Sequence, residues 1–585
     1  MIRRSLRIRA LIPGGPWSIL PGGTWSRLTD AFIFAVGLAL FYGIIRVAQS
    51  WFGPFTPQVE ISRNPMALPG YAAYSLARIA VAYGLSLAFT LVYGYIAAYN
   101  SKAERFMIPL LDVLQSIPVL SFLPGVMLAM VTLSPKRQLG LEFGAVLLIF
   151  TGQVWNMAFS FYSSLKSIPK EMREAARIFR FGPWQRFTQV ELPFAAIGLV
   201  WNSMMSVAGG WFFLMACEMF VLGSKDFRLP GLGSYLQTAA SAGDKFAIVW
   251  GILVMIAIIV LLDQLVWRPV IAWAEKFKME QVESRHLPHS WVLEILRRSK
   301  SLGYLQQVAF VPLAESLELY LARKSRARHR PAQVPKWGKW TVVALGAMFL
   351  LAVLYAVGGA ASMLAQLDRS EVAQLVKAAG ATFLRVNLAL FLGVAWTIPV
   401  GVAIGLSPRL ARVAQPIAQV AASVPATALF PVVLLAIVKA GGGLGIGSIV
   451  LLLLATQWYI LFNVIAGAMA IPADLKEAAV VFRLTGWDRW RSLILPGIFP
   501  YLVTGLLTAS GGAWNASIVA EYFRFNGQTI STTGLGATIS HATDSGNFTL
   551  LLAATCVMAT IVVAINRLVW RRLYTVAETR FTLQT

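Results

Sequence analysis

Two short stretches of this chain set an acid beside paired alanines in the same frame. Ile168-Pro169-Lys170-Glu171-Met172-Arg173-Glu174-Ala175-Ala176 and Ile471-Pro472-Ala473-Asp474-Leu475-Lys476-Glu477-Ala478-Ala479 both open on Ile-Pro and close on Glu-Ala-Ala. Proline is at home in the first turn of a helix, where its missing N–H costs little. Glu171, Glu174, Asp474 and Glu477 fall in the first turns, where the helix dipole favours carboxylates. Ala175-Ala176 and Ala478-Ala479 give each helix a smooth face that another surface can approach closely. A bend at Gly182-Pro183 and at Thr485-Gly486 leads to a second helix with Trp184 or Trp487, and then to Leu192-Pro193 or Leu495-Pro496. The chemistry on offer is recognition: a short helix presenting small residues and one acid to a partner.

A second group is ionisable or polar inside apolar runs. Glu218 and Glu521 lie near the ends of two such runs, and Arg78 and Arg385 sit about two turns into two others. Charge inside a membrane is expensive and marks function by default, which makes these four, with Trp211, Trp514 and Asn202, candidates for lining a translocation pathway. Each has a plainer reading beside it. The glutamates can be structural hydrogen-bond acceptors or caps, the arginines can snorkel or pair with a glutamate, and the aromatics can simply pack. Gly209-Gly210 and Gly511-Gly512 suit close helix approach. Cys217 and Cys556 occupy non-equivalent apolar positions, which fits helix packing and neither a disulfide nor a metal site. Gly441–Gly447 is glycine-rich but lacks the Lys-Ser/Thr that completes a phosphate loop. No ATP site is therefore expected in this chain. The four histidines fall mostly between the apolar blocks and do not suggest a membrane enzyme.

The elements that must position these residues are membrane helices. Of 585 residues, 57% are hydrophobic and 13% charged, about half the charge of an ordinary soluble chain. Apolar blocks reach or approach the roughly 20 residues that cross a hydrocarbon layer. The net charge of +24 does not point to nucleic acid, because the Lys and Arg cluster between apolar blocks. Self-similarity organises the whole. At an offset of 303, Glu174 matches Glu477, Trp211 matches Trp514, Glu218 matches Glu521 and Gly231-Leu232-Gly233 matches Gly534-Leu535-Gly536. Upstream the offset is 307, pairing Ser75 with Thr382, Arg78 with Arg385, Pro118 with Pro425 and Pro124 with Pro431.

Spans are expected near 29–49, 71–98, 106–132, 142–163, 193–220 and 247–272, and again near 339–361, 377–406, 412–438, 446–468, 496–523 and 549–571. The fold class is thus an all-α polytopic membrane protein of two parallel repeats with about six spans each. The domains read as a basic N-terminal segment 1–28, a first repeat 29–273, a linker 274–337 and a second repeat 338–585. The basic loops, including Lys166–Arg186 and Lys476–Arg491, share one side, which the positive-inside rule makes cytoplasmic. Both termini and the linker fall on that side, with Lys136-Arg137 a local exception. The basic N-terminus has no apolar core directly behind it, so an uncleaved start is expected. The linker is expected to lie on the membrane surface, with amphipathic pieces such as Trp291–Leu296.

With Val190 two residues before Leu192-Pro193, and Leu493 two before Leu495-Pro496, the Glu-Ala-Ala stretches resemble the EAA loop of type I ABC importer permeases. That resemblance covers about 70–275 and 375–575. It implies that Glu174, Ala175, Ala176, Glu477, Ala478 and Ala479 belong to coupling helices that dock on ATPase subunits. Trp211 with Glu218, and Trp514 with Glu521, resemble the permeases for nitrate, sulfonates and bicarbonate. The implied partners are two ATP-binding-cassette subunits carrying ATP and Mg, an external solute-binding protein, and membrane lipid in a bacterial cytoplasmic membrane. The implied activity is import of a small anion by alternating access, with one chain replacing a permease dimer. Another small solute, or a gradient-driven secondary transporter, is the alternative. One departure stands out: the glycine the family carries four positions after the second Ala is Arg180 here and Arg483 in the other copy. The identical change in both reads as the feature of a subgroup.

Overall fold

A computed structural model of the chain describes residues 60–133, 138–222, 225–277, 290–298, 357–439, 441–525 and 528–580, with Trp51 and isolated positions between 304 and 355. The expected N-terminal segment, the first span of the first repeat, Lys136-Arg137 and most of the linker lie outside the described residues, and of the first span of the second repeat only 357–361 and isolated positions are described. Within the linker, Trp291–Arg298 is helical with Val292 buried and Trp291 exposed, as its amphipathic pattern requires.

The first repeat runs α1 (Leu68–Tyr99), α2 (Ser101–Ser116), α3 (Leu123–Leu133), α4 (Leu139–Lys166), α5 (Lys170–Ile178), α6 (Leu192–Glu218), a two-stranded hairpin of β1 (Val221–Leu222) and β2 (Lys225–Asp226), α7 (Leu232–Ser241) and α8 (Lys245–Leu262). The linker helix Trp291–Arg298 is α9. The second repeat runs in the same order: α10 (Arg369–Leu406), α11 (Pro408–Ser423), α12 (Ala426–Lys439), α13 (Leu444–Ala470), α14 (Ala473–Val481), α15 (Leu495–Ala520), the hairpin β3 (Tyr522–Phe525) with β4 (Gln528–Ser531), α16 (Leu535–Ser545) and α17 (Phe548–Ile565). Polar caps start several of them. Asn100 accepts from the amides of Lys102 and Ala103, Asp244 from that of Ala247 and Asn547 from that of Leu550, each satisfying N–H groups the helix leaves unpaired.

Among the described residues eight helical segments are long and apolar enough to cross a membrane. They contain α1, α4, α6 and α8 and their counterparts α10, α13, α15 and α17. The two spans expected near 106–132 and 412–438 are each two helices instead. Ile117 (ψ 125°) and Val424 (ψ 114°) are extended, because each precedes a proline whose ring disfavours the helical conformation behind it. The apolar run passes through both breaks, so hydropathy alone joins what Pro118 and Pro425 separate.

Each repeat is built on one packed trio, α1–α4–α6 and α10–α13–α15. The broken helices are exchanged between repeats: α2 packs on α17, and α11 packs on α8. Leu120 donates its amide to Asn515 Oδ1 (3.4 Å), Thr555 Oγ1 donates to the Ser121 carbonyl (3.3 Å), and Gln419 Nε2 donates to Asp263 Oδ1 (3.2 Å). One buried hydrophobic core accordingly runs through both repeats. A π-helical turn, Phe187–Glu191 or Trp490–Ile494, leads into α6 and α15. The rings of Pro193 and Pro496 would meet the carbonyl four residues earlier in an α-helix, and the wider turn relieves that clash. A third π turn, Asp263–Trp267, precedes Pro269 in the same way. Its counterpart Asn566–Trp570 has no such proline, and nothing in the structure explains it. We call the end of the bundle that carries α5 and α14 the loop end, and the opposite one, with both β-hairpins, the hairpin end.

Candidate functional site

The loop end carries the Glu-Ala-Ala helices in matching local geometry. Pro169 (φ −55°, ψ 147°) precedes α5 and Pro472 (φ −55°, ψ 146°) precedes α14. Both helices close identically. Phe181 N–H donates to the Ala176 carbonyl (2.9 Å) and Arg180 N–H to that of Arg177 (2.9 Å); Leu484 and Arg483 repeat this with Ala479 (2.8 Å) and Val480 (3.0 Å). That is the Schellman closure, whose key residue must be left-handed and is usually glycine. Here it is Arg180 and Arg483, each at φ 51°, and they are the only non-glycine residues with positive φ among those described. The arginine substitution noted in the sequence therefore leaves the bend in place, held by main-chain bonds against a steric cost of about 1–2 kcal/mol each.

The faces of these helices differ from expectation. Glu174 and Glu477 are exposed, and Ala175 and Ala478 half-buried. Ala176 and Ala479 are buried, and Ala176 packs among Ile168, Val190 and Phe181 of its own repeat. The second alanine thus permits close approach of the helix to its own chain. The apolar side chains that face away are Ile178 and Phe179 in the first copy and Val480, Val481 and Phe482 in the second, all more than 60% exposed. The first copy is further clamped: Glu191 Oε1 accepts from Arg186 Nε and from the Tyr99 hydroxyl, both at 2.6 Å.

The intramembrane candidates converge, but within their own repeats. Arg78 is fully buried and forks onto Glu142 (Nε–Oε2 2.6 Å, Nη2–Oε1 2.7 Å), while Nη1 donates to Glu218 Oε1 (2.6 Å) and to the Pro230 carbonyl (2.8 Å). Glu218 also accepts from Ser75 Oγ (2.7 Å) and from the Gly233 amide (2.7 Å). It thereby caps α7. A Cβ built on Gly231 would lie 2.2 Å from the Glu218 carboxylate, so the Gly-Leu-Gly motif is the cradle for that acid. In the second repeat Glu521 accepts from Thr382, from Arg385 Nη1 (3.0 Å) and from the Gly536 amide (2.9 Å). The two clusters are not equal. The position matching Glu142 is Gly445, and Arg385 turns instead to Thr532 Oγ1 (2.9 Å) and the Thr533 carbonyl (2.6 Å), with 14% of its side chain accessible. Comparing repeats could not reveal Glu142, which has no counterpart; the paired Ser75 and Thr382 were the usable signal for the rest.

Trp211 and Trp514 are buried, and half-buried Asn202 donates to the Gly198 carbonyl one turn behind it (2.9 Å). Gly209 faces the Tyr459 hydroxyl of the other repeat, and Gly210 abuts Gln153, so this glycine pair serves close packing. None of Arg78, Arg385, Glu218, Glu521, Trp211, Trp514 and Asn202 is among the residues lining one cavity that lies between the repeats. That cavity, about 430 Å³, opens at the hairpin end and is floored by Leu120, Leu123 and Ile518. Its polar wall includes Asp226, Arg228, Gln237, Thr427 and Asp544. Asp226 and Arg228 form a forked pair, with Nε at 2.9 and 3.0 Å from the two carboxylate oxygens. Partial burial pushes the Asp226 carboxyl up, but the hydrogen bonds and charge of Arg228 outweigh that and hold it below its ordinary value. Tyr522 donates to Asp544 on the facing wall.

The comparisons agree with this architecture. A model of the binding-protein-dependent transport system inner membrane component family matches twice, over residues 90–266 and 397–582. The nitrate import permease protein NrtB of Synechococcus elongatus is 30% identical over 162 residues, 28% of this chain and 54% of that protein. The trimethylamine N-oxide transport system permease protein TmoV of Pelagibacter ubique is 28% identical over 272 residues, 46% of this chain and 32% of its own length. The taurine transport system permease protein TauC of Escherichia coli is 30% identical over 184 residues, 31% of this chain and 62% of its own. The chain thus spans about half the length of the nitrate permease and less than two thirds of the others. With a family match in each repeat and over more than half of its residues, this multi-pass membrane protein belongs to the binding-protein-dependent transport system inner membrane components.

Proposed function

We propose that this chain is a translocation subunit of an ATP-binding-cassette importer, with both halves of a permease in one polypeptide. The observation that carries the reading is the pair of Glu-Ala-Ala helices with matching entry and closure geometry, each leaving a cluster of large apolar side chains uncovered. Such clusters call for a covering partner. The partner is a pair of ATPase subunits, one to each loop, which hold the ATP and Mg. The loop end faces the cytoplasm, as its Lys and Arg excess supports, and a solute-binding protein delivers its cargo at the hairpin end. Closure of the ATPase pair draws α5 and α14 together, and the π turns pass that motion to α6 and α15, rocking the repeats about the cavity between them. The cargo is a small solute of the nitrate, sulfonate or bicarbonate type, in line with the names of its relatives.

The test is Glu174→Arg combined with Glu477→Arg. ATPase subunits that co-purify with the wild-type chain are expected to be lost from the double variant, while its membrane insertion is unchanged. Recovery of a normal complex, or uptake that proceeds without any ATPase, contradicts the assignment.

A further inference from the structure

The cavity between the repeats is chemically specific in a way its position alone does not require. Arg228 is its one cation among the described lining residues, and three of its five N–H donors are engaged within the protein, Nε and one of Nη2 by Asp226 and one of Nη1 by Thr238 Oγ1 (3.1 Å), which leaves an N–H on each Nη for a solute. A simple anion drawn to that guanidinium would meet the Asp226 carboxylate at the same place, and like charge in a partly closed site is costly. The pair instead presents both signs side by side. Aromatic side chains of Phe220, Tyr522 and Phe523 also line the cavity, and such faces attract alkylated ammonium groups. Thr427 adds an independent pointer. It is 5% exposed and lines the cavity, and its hydroxyl has no hydrogen-bond partner within the protein. Buried hydroxyls are rarely left so; the oxygen is covered as it stands, and a rotation about χ1 would turn it toward an acceptor on a solute in the cavity.

We infer that this cavity receives a zwitterionic solute, with an ammonium and an acidic group on one small skeleton, in preference to an inorganic oxyanion. The solute lies antiparallel to the Asp226–Arg228 pair, its ammonium toward Asp226 and the aromatic wall, its acidic end toward Arg228 and Thr427. This rests on reading the chain as an importer permease and narrows the solute class of that reading to the members that carry their own counter-charge.

The test is isothermal titration of the full chain in lipid nanodiscs with taurine, glycine betaine and sodium nitrate at matched ionic strength. Taurine and glycine betaine are expected to bind at least about ten-fold more tightly than nitrate. Asp226→Asn, which leaves the Arg228 charge without its carboxylate, is expected to reverse the order, with nitrate gaining and taurine losing about ten-fold each. A merely structural Asp226 would weaken every probe together. Thr427→Val, nearly constant in volume, is expected to weaken taurine several-fold without strengthening nitrate, and it serves alone if the Asp226 variant does not fold. Nitrate binding as tightly as taurine to the wild type, no heat with any probe, or variants that bind like the wild type overturns the inference. ATPase co-purification distinguishes the two levels: a chain that holds its ATPase but prefers nitrate sinks this inference alone, and one that binds taurine but no ATPase sinks the importer reading.

Discussion

Removing the guanidinium from each buried cluster in turn measures how differently the two repeats are built. Arg78→Met leaves two carboxylates, Glu142 and Glu218, buried without their shared cation, and takes away a forked pair with contacts of 2.6 and 2.7 Å. Stripping one partner from a buried ion pair typically costs about 3–5 kcal/mol, and two stranded acids place this variant at the upper end of that range. Arg385→Met strands only Glu521, which keeps its bonds from Thr382 and the Gly536 amide, and the lost arginine was already 14% accessible. About half the cost is expected there. The assay is thermal unfolding of each purified variant in the same nanodiscs, with the midpoint for Arg78→Met falling well below that for Arg385→Met. Adding Glu142→Gln to Arg78→Met removes one stranded charge and is expected to recover part of the loss, a coupling that independent sites would not show. Equal midpoints for the two single variants, or further loss from Glu142→Gln, would refute the idea that charge number in the buried cluster sets its contribution.

Two further outcomes are expected. Arg180→Gly with Arg483→Gly relieves the left-handed strain of about 1–2 kcal/mol per site but gives back part of it through the looser unfolded chain; hydrogen exchange at the amides of Phe181 and Leu484 should slow modestly, and faster exchange at both would show that the arginine side chains stabilise the bend. The Asp226 carboxyl is held below its ordinary value by Arg228, so its contribution to the β1–β2 hairpin is fully present above the usual carboxylate value near 4 and is lost as pH falls through the lower folded value. The protection factor of the Arg228 amide, which donates to Asp226 Oδ1 at 3.0 Å, should therefore fall on acidification once the intrinsic pH dependence of amide exchange is divided out, and Asp226→Asn should abolish that fall.

Much of this architecture is legible in the sequence because its signals are long and doubled. An apolar run the length of α1 or α13 states its own fate, and a proline or tryptophan recurring 303 residues later marks a position the fold reuses. What escapes is local or single. Glu142 escapes because a repeat comparison keeps only what both copies share, and its counterpart is a glycine. The breaks before Pro118 and Pro425 escape because hydropathy averages over a window wider than one extended residue. The inward turn of Ala176 and Ala479 escapes because two small residues suit a close approach on either side, and only the packing against Val190 and Ile168 shows which side is used. The bend at Arg180 was harder still. Its sequence argues against a left-handed residue, and the main-chain bonds that hold it there are invisible in side-chain types.

The covalent joining of the two repeats has a consequence for how such a protein can change. In a symmetric pair of identical subunits, every substitution is made twice, and a residue placed on one wall of a central chamber appears on the other as well. Here the two walls are encoded separately. Asp226 and Arg228 stand on one wall, where the matching positions of the other are Thr529 and Ser531, and Asp544 stands opposite a wall whose matching residue is Ser241. A handed molecule, or one whose two ends differ, can be met by two different surfaces at once. Separate encoding lets the two faces of one cavity carry different groups, an asymmetry that two identical subunits cannot have.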